Sequence, residues 1–204
     1  MEEPSLLAPI QKIVHYSTEE LMQRIRKVTM LQDASVCVYE KASIEIKPLH
    51  PSQMAPPQRY VQVKQIKLLQ ELHFALQEKG FNLFALNGYL HLWFEGQSDP
   101  VGIIPPVLEH SIEQDGSSHW IICDGMHRCF LARAFFILPQ VVLISNIPYP
   151  YYAYPNPGGW ADVELLYEET QGVLKKFHRI RANKKLYRNF VPQFGNLSVP
   201  RGKV

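Results

Sequence analysis

Cysteine is scarce in this chain, and what there is does not pair. Cys37, Cys123 and Cys129 are the only three, an odd number without a CxxC spacing, which argues against a disulfide framework. Cys37 and Cys123 sit in apolar, strand-like runs, where the expectation is a buried and inert thiol. The eight histidines form no HExxH motif and no His/Cys grouping with zinc spacing, so nothing points to a structural metal. No apolar run approaches the roughly 18 residues needed to cross a bilayer. The start, Met-Glu-Glu-Pro, is acidic where a secretory signal would be basic. A cytoplasmic protein is expected. Acidic residues are missing altogether after Glu169, while nine basic ones follow it: Lys175, Lys176, Arg179, Arg181, Lys184, Lys185, Arg188, Arg201 and Lys203. The net charge of +2 therefore hides an acidic body and a basic end.

With 204 residues, 46% of them hydrophobic and 20% charged, the chain can bury a core as one compact domain with extensions. Ser17 stands three residues before Glu20, a capping-box spacing that predicts a helix running to about Leu31. Ala34–Tyr39 and Ser43–Leu49 read as short strands. The proline-bearing segment from His50 to Pro57 reads as a loop. Ile66, Leu69, Leu72, His73 and Leu76 recur at helical spacing, predicting a helix over Gln62–Lys79 that Gly80 caps. Asn87-Gly88 predicts a hairpin over Leu83–Phe94. Val101–Glu109 and Trp120–Cys123 follow as strands about a polar turn at Glu113–Ser118, then a helix over Met126–Phe136 and a strand over Gln140–Ser145. The Pro- and Tyr-rich stretch Ile147–Gly159 cannot be regular structure. A last helix is expected from about Trp160 into the basic region, with a loosely held tail from Val191.

The informative segment is Trp120-Ile-Ile-Cys-Asp-Gly-Met-His-Arg-Cys129. A buried strand runs through Asp124-Gly125 directly into a helix. That turn presents unpaired N–H groups and the positive end of the helix dipole, a setting that attracts phosphate. Gly125 permits a tight turn, and Arg128 offers a planar fork of donors suited to phosphate oxygens. The same residues also fit a capping Asp, a turn Gly and two surface cations. Against that, cations are unfavourable in a helix's first turn, so His127 and Arg128 together suggest a compensating anion.

Asp124-Gly125-Met126-His127-Arg128 resembles the Asp-Gly-x-His-Arg signature of the ParB/sulfiredoxin superfamily, nearest to its free-serine-kinase-like branch. Ile46-Lys47-Pro48-Leu49, the helix Gln62–Lys79 and Ile104-Pro105-Pro106-Val107-Leu108 resemble the elements that precede the signature in that domain. The resemblance covers about residues 43–145. It implies an α+β domain with a small mixed sheet, placed over 34–146. Outside the resemblance, an N-terminal helical arm (1–33) and a Pro/Tyr-rich segment with a basic C-terminal helical extension packed on the domain (147–204) are expected. Met126 replaces the reactive cysteine of the sulfiredoxins, which speaks against sulfinic acid repair. The helix-turn-helix of partitioning proteins is not evident. The catalytic glutamate of the serine kinases has no counterpart in His50-Pro51-Ser52-Gln53.

The resemblance implies a nucleotide-binding protein, first of all a nucleotide-dependent phosphotransferase of small-molecule-kinase type using ATP or CTP with Mg²⁺. Asp124, His127, Arg128 and His50 are then the catalytic candidates, with Asp124 also holding the metal. Gly125, Met126, His127 and Arg128 would bind the cofactor. His50 also fits a capping role, and Glu45, Glu71 and Glu109 are remoter candidates for a base. Tyr149, Tyr151, Tyr152, Tyr154 and Trp160 fit either a stacking wall or a cover over the core. Lys175, Lys176, Arg179, Arg181, Lys184, Lys185 and Arg188 are expected to meet a nucleic acid or another acidic partner. The alternatives are a nucleic-acid-binding or nucleotide-sensing protein without turnover, and a ParB-like nuclease.

Overall fold

The structure is a computed structural model that describes residues 5–113, 115–148, 153, 155–167 and 187–197. The expected α+β architecture is present. Strand β1 (Ile10–Tyr16) leads into helix α1 (Thr18–Arg26), then β2 (Thr29–Met30), β3 (Ser43–Pro48), β4 (Met54–Ala55) and β5 (Tyr60–Gln62). Helix α2 (Val63–Gln77) is followed by β6 (Tyr89–Phe94), β7 (Val101–Ile103), β8 (Val107–Ile112) and β9 (Ser118–Asp124). Helix α3 (Met126–Ala134), β10 (Gln140–Ser145), β11 (Glu164–Leu166), β12 (Arg188–Asn189) and the short α4 (Val191–Phe194) complete the order.

A five-stranded mixed sheet, in the order β3-β10-β8-β9-β4, carries the Asp124-Gly125 corner. Its strands alternate between antiparallel pairings (β3 with β10, β8 with β9) and parallel ones (β10 with β8, β9 with β4). A second sheet, β1-β6-β7, is antiparallel throughout. The expected single strand over Val101–Glu109 is in fact two, one in each sheet. The break is Ile104-Pro105-Pro106, because two successive residues without an N–H cannot continue a ladder. Pro106 still accepts from Val142 N–H at 2.8 Å, so the chain joins β10 as it leaves the proline pair.

Helix α3 is shared between two apolar clusters. Leu131 and Ala132 join Leu68, Leu72 and Leu76 of α2 against β6 and β7. Met126 and Cys129 join Leu108, Ile122, Val141 and Leu143 of the large sheet. Burying each such leucine or isoleucine contributes roughly 1.5–3 kcal/mol, so α3 is held from two sides and the turn before it is fixed in place.

Several expectations need correcting. The N-terminal arm is not only helical: Ile10–Tyr16 pairs antiparallel with β6, so β6 finds its partner there and not in a hairpin at Asn87-Gly88. The register shifts between Ile10 and Lys12, and exposed and half-buried residues do not alternate along the strand, so no period-two signal marks it. The capping box at Ser17 and Glu20 is present, but α1 ends at Arg26. Ala34–Tyr39 forms turns around an isolated bridge from Cys37 to Thr29, and Cys37 is exposed. Trp160 lies in a 3-10 turn, and the chain then runs as β11 beside β5. The described part of the expected loose tail, 191–197, is instead packed: Phe194 is buried against Tyr89, just after Phe190 is buried against Tyr39.

Candidate functional site

Strand β9 lies inside the five-stranded sheet and ends on Asp124. Gly125 then adopts φ 85° and ψ 24°, a left-handed conformation that costs a residue with a Cβ about 1–2 kcal/mol. A Cβ there would also stand 2.9 Å from Pro106 Cβ and 3.0 Å from an Arg128 guanidinium nitrogen. The glycine is thus required twice, by its backbone angle and by the proline pair behind it. Helix α3 starts immediately, and no side chain caps its first turn. A cleft of about 290 Å³ lies over this turn, walled by Asp124 to Arg128, by Gln62 and Gln65, by Gly102 and Ile103, and by Leu197.

Arg128 faces inward. One guanidinium nitrogen donates to Asp124 Oδ2 at 2.7 Å and the other to the Ile104 carbonyl. The Arg128 side chain is 11% exposed and that of Asp124 22%, so the expected free surface cation is instead half of an internal ion pair. The pair links the end of β9 to the first turn of α3 and to the proline break. Both partners still line the cleft, so their charges act on whatever enters it.

His127 requires a correction in its chemistry. Its Nε2 accepts the backbone N–H of Gln62 at 3.1 Å, in the residue that precedes α2. Burial, reinforced by the Arg128 charge, pushes its pKa down to about 4. The imidazole is therefore neutral at pH 7, with its proton on Nδ1, and cannot serve as the expected cation. It joins α3 to the start of α2. The unfolded chain takes up this proton near pH 6.5 and the folded chain only near 4, so the contribution to stability is complete above about 6.5 and is lost as pH falls towards 4. Wild type is expected to lose about 2 kcal/mol more than His127→Gln between pH 7.5 and pH 5. Denaturant midpoints at the two pH values measure the difference, and equal losses would refute the assignment.

Met126, a cofactor-binding candidate, turns its side chain into the core, leaving its backbone N–H as what it can offer an anion. Burial raises the Cys129 thiol to about 12, which makes it inert. His50 lies elsewhere. It caps the 3-10 turn Pro51–Gln53, taking the Ser52 N–H on Nδ1 at 3.2 Å. With Arg133 and Phe136 it lines a separate cavity of about 380 Å³, and the nine residues of α3 put that end about 12–14 Å from the corner. Among the described residues, Asp124 is the only carboxylate lining the corner cleft. Glu45 pairs with Lys47 on the surface, Glu71 takes the Leu7 N–H, and Glu109 is buried. Among the described residues no group of three or more His, Cys, Asp or Glu side chains could hold a metal ion.

Trp160 covers the core, donating to the Pro51 and Met54 carbonyls beside Phe130. Tyr149, Tyr151, Tyr152 and Tyr154, and Lys175, Lys176, Arg179, Arg181, Lys184 and Lys185, lie outside the described residues. Arg188, expected on a polyanion-facing surface, is instead inside. Its guanidinium forks the Glu109 carboxylate with two contacts of 2.7 Å, the side chains being 3% and 1% exposed, and Tyr39 donates its hydroxyl to the same carboxylate. Burial and the Glu109 charge raise the Tyr39 hydroxyl well above the usual value. Burial alone would weaken the Arg188 charge, but the Glu109 carboxylate outweighs it and holds the guanidinium more firmly protonated than usual.

Sequence reasoning also missed the contributions of Gln62, Gln65 and Leu197 to the cleft. No helix among the described residues is long and apolar enough to cross a membrane. Comparison with protein families returns a match to the ParB CE domain over residues 20–164. No curated protein and no solved structure matches the chain significantly. The family match spans well over half of the chain and contains the whole strand–turn–helix corner, and the chain belongs to the ParB CE domain family.

Proposed function

We propose that this protein binds a nucleotide through its phosphates at the corner between β9 and α3. One observation carries the reading: helix α3 begins on a left-handed glycine with no side-chain cap hydrogen bond at its N-terminus, and a cleft opens there. The first N–H groups of a helix have no partner within it, and their dipoles favour an anion. The Asp124–Arg128 pair sits at the same mouth, so a phosphate can draw Arg128 towards itself while Asp124 is released to a cation. The setting we infer is cytoplasmic, which suits three free cysteines.

Phosphoryl transfer is the finer reading, favoured by the Asp124 carboxylate at the cleft. Asp124 would hold Mg²⁺, a cation that commonly takes one or two carboxylates and shares the rest of its shell with water and phosphate. The residues at hand do not complete a kinase, because the described residues of the cleft offer no second carboxylate and His127 is committed to Gln62. Binding therefore stands ahead of turnover. Contact with a nucleic acid or an acidic partner through Lys175 to Lys185 is a separate proposal, tested by oligonucleotide titration at two salt concentrations.

The test is ligand-induced stabilisation. ATP, CTP or pyrophosphate at one hundred times its dissociation constant should stabilise the protein by about 2.7 kcal/mol, raising Tm by several degrees, with Mg²⁺ present and absent. ADP release on long incubation would add turnover. No shift with any of the three at millimolar concentration would defeat the reading.

A further inference from the structure

The segment Tyr187–Leu197 lies outside the family match yet runs across the protein to the cleft. It is held at every step. The Tyr187 carbonyl accepts the Leu31 N–H at 2.6 Å, and Arg188–Asn189 pairs with Thr29–Met30. Arg188 enters the Glu109 fork. Phe190 and Phe194 fill the second core, and the Gln193 carbonyl accepts from Arg24. Asn196 ends the run beside β7, its carbonyl accepting the Gly102 N–H at 2.8 Å. Leu197, half-buried against the same core, then becomes part of the cleft wall.

Gly102 shows how close this approach is. A Cβ at that position would stand 2.2 Å from the Phe194 carbonyl oxygen, a distance at which the two backbones cannot coexist. The glycine in β7 is what allows the segment to lie flat and deliver Leu197. The cleft it completes has two characters: Asp124, Arg128 and the first turn of α3 are polar, whereas Leu69 and Leu197 are apolar. A bare phosphate or a phosphorylated sugar has no use for the second surface. A ligand that joins phosphates to a flat, poorly hydrated ring system uses both.

We infer that Tyr187–Leu197 is a strap forming the ring-binding wall of the cleft, and that Leu197 is a specificity-determining residue selecting base-bearing nucleotides over simple phosphates. The inference rests on the nucleotide reading of the corner.

Two probes separate the wall from the corner: ATP, which needs both, and pyrophosphate, which needs the corner alone. Leu197→Ala removes part of a half-exposed side chain without touching the corner, and it should weaken ATP about tenfold. Pyrophosphate affinity should stay within twofold. Gly102→Ala, which must displace the strap, should show the same split. The inference is overturned if Leu197→Ala leaves ATP affinity unchanged, or if it weakens both probes equally. Wild-type protein that binds pyrophosphate but not ATP overturns the wall and leaves the corner standing. Wild type that binds neither removes the corner and the wall together.

Discussion

Arg188→Met should destabilise the protein by about 3–5 kcal/mol, the cost of leaving one partner of a buried ion pair without the other. Glu109 is 1% exposed at its side chain and receives both guanidinium contacts. Without Arg188 its carboxylate keeps, among the described residues, only the Tyr39 hydroxyl, which cannot replace a fork of two charged donors. The carboxylate must then stay charged in an apolar core, take up a proton, or pull water in. The triple variant Tyr39→Phe, Glu109→Leu, Arg188→Met should recover most of the loss, because three apolar side chains of similar volume remove the buried carboxylate together with its cation and its hydroxyl donor. Urea denaturation of the single and triple variants measures both expectations. A single-variant cost under about 1 kcal/mol would mean that the carboxylate is hydrated.

Arg128→Ala should weaken nucleotide binding by about 1.5–3 kcal/mol, the usual worth of a hydrogen bond to a charged group. Arg128 neutralises Asp124 and ties α3 to the Ile104 carbonyl. Its removal leaves Asp124 unopposed at the mouth of the cleft, so a polyphosphate loses a donor and meets a bare negative charge. Arg128→Lys keeps the charge but not the planar fork, and should recover only part of the affinity. Calorimetric titration of the two variants, with Tm measured alongside, separates binding from folding. A large fall in Tm with ATP affinity retained would make Arg128 a structural tie and nothing more.

The corner was legible because its signals are local. Gly125 can occupy a left-handed turn, the apolar run before it predicts a buried strand, and Met126, Cys129 and Ala132 recur at helical spacing. The capping box at Ser17 and Glu20 and the helix over Val63–Gln77 were legible for the same reason. What could not be read were pairings across long stretches of chain. Nothing local says that Ile10–Tyr16 seeks Tyr89–Phe94, or that Asn87-Gly88 leads into a strand whose partner lies far upstream. Arg188 misled most plainly, because a basic residue in a basic run implies a solvated face, while its partner stands 79 positions earlier. Glu109 carried a faint signal. In a strand it shares a face with Val107 and Ser111, and all three are buried, so its charge had to be met inside. The orientation of Arg128 was equally hidden, since the Ile104 carbonyl that turns it inward is exposed to it by the proline break.

That separation of 79 positions has a consequence during synthesis. Ribosomes add roughly 5–20 residues per second, so Glu109 leaves the peptidyl transferase centre about 4–16 s before its guanidinium partner is made. During that interval Tyr39 and β8 are available, but the carboxylate between them has no cation and must keep its water. The emerging chain can build α2 and the α3 corner, yet the core around Tyr39 stays wet until the arginine arrives. Slow codons between positions 109 and 188 therefore lengthen the time in which half-assembled β-strands stand open to other nascent chains.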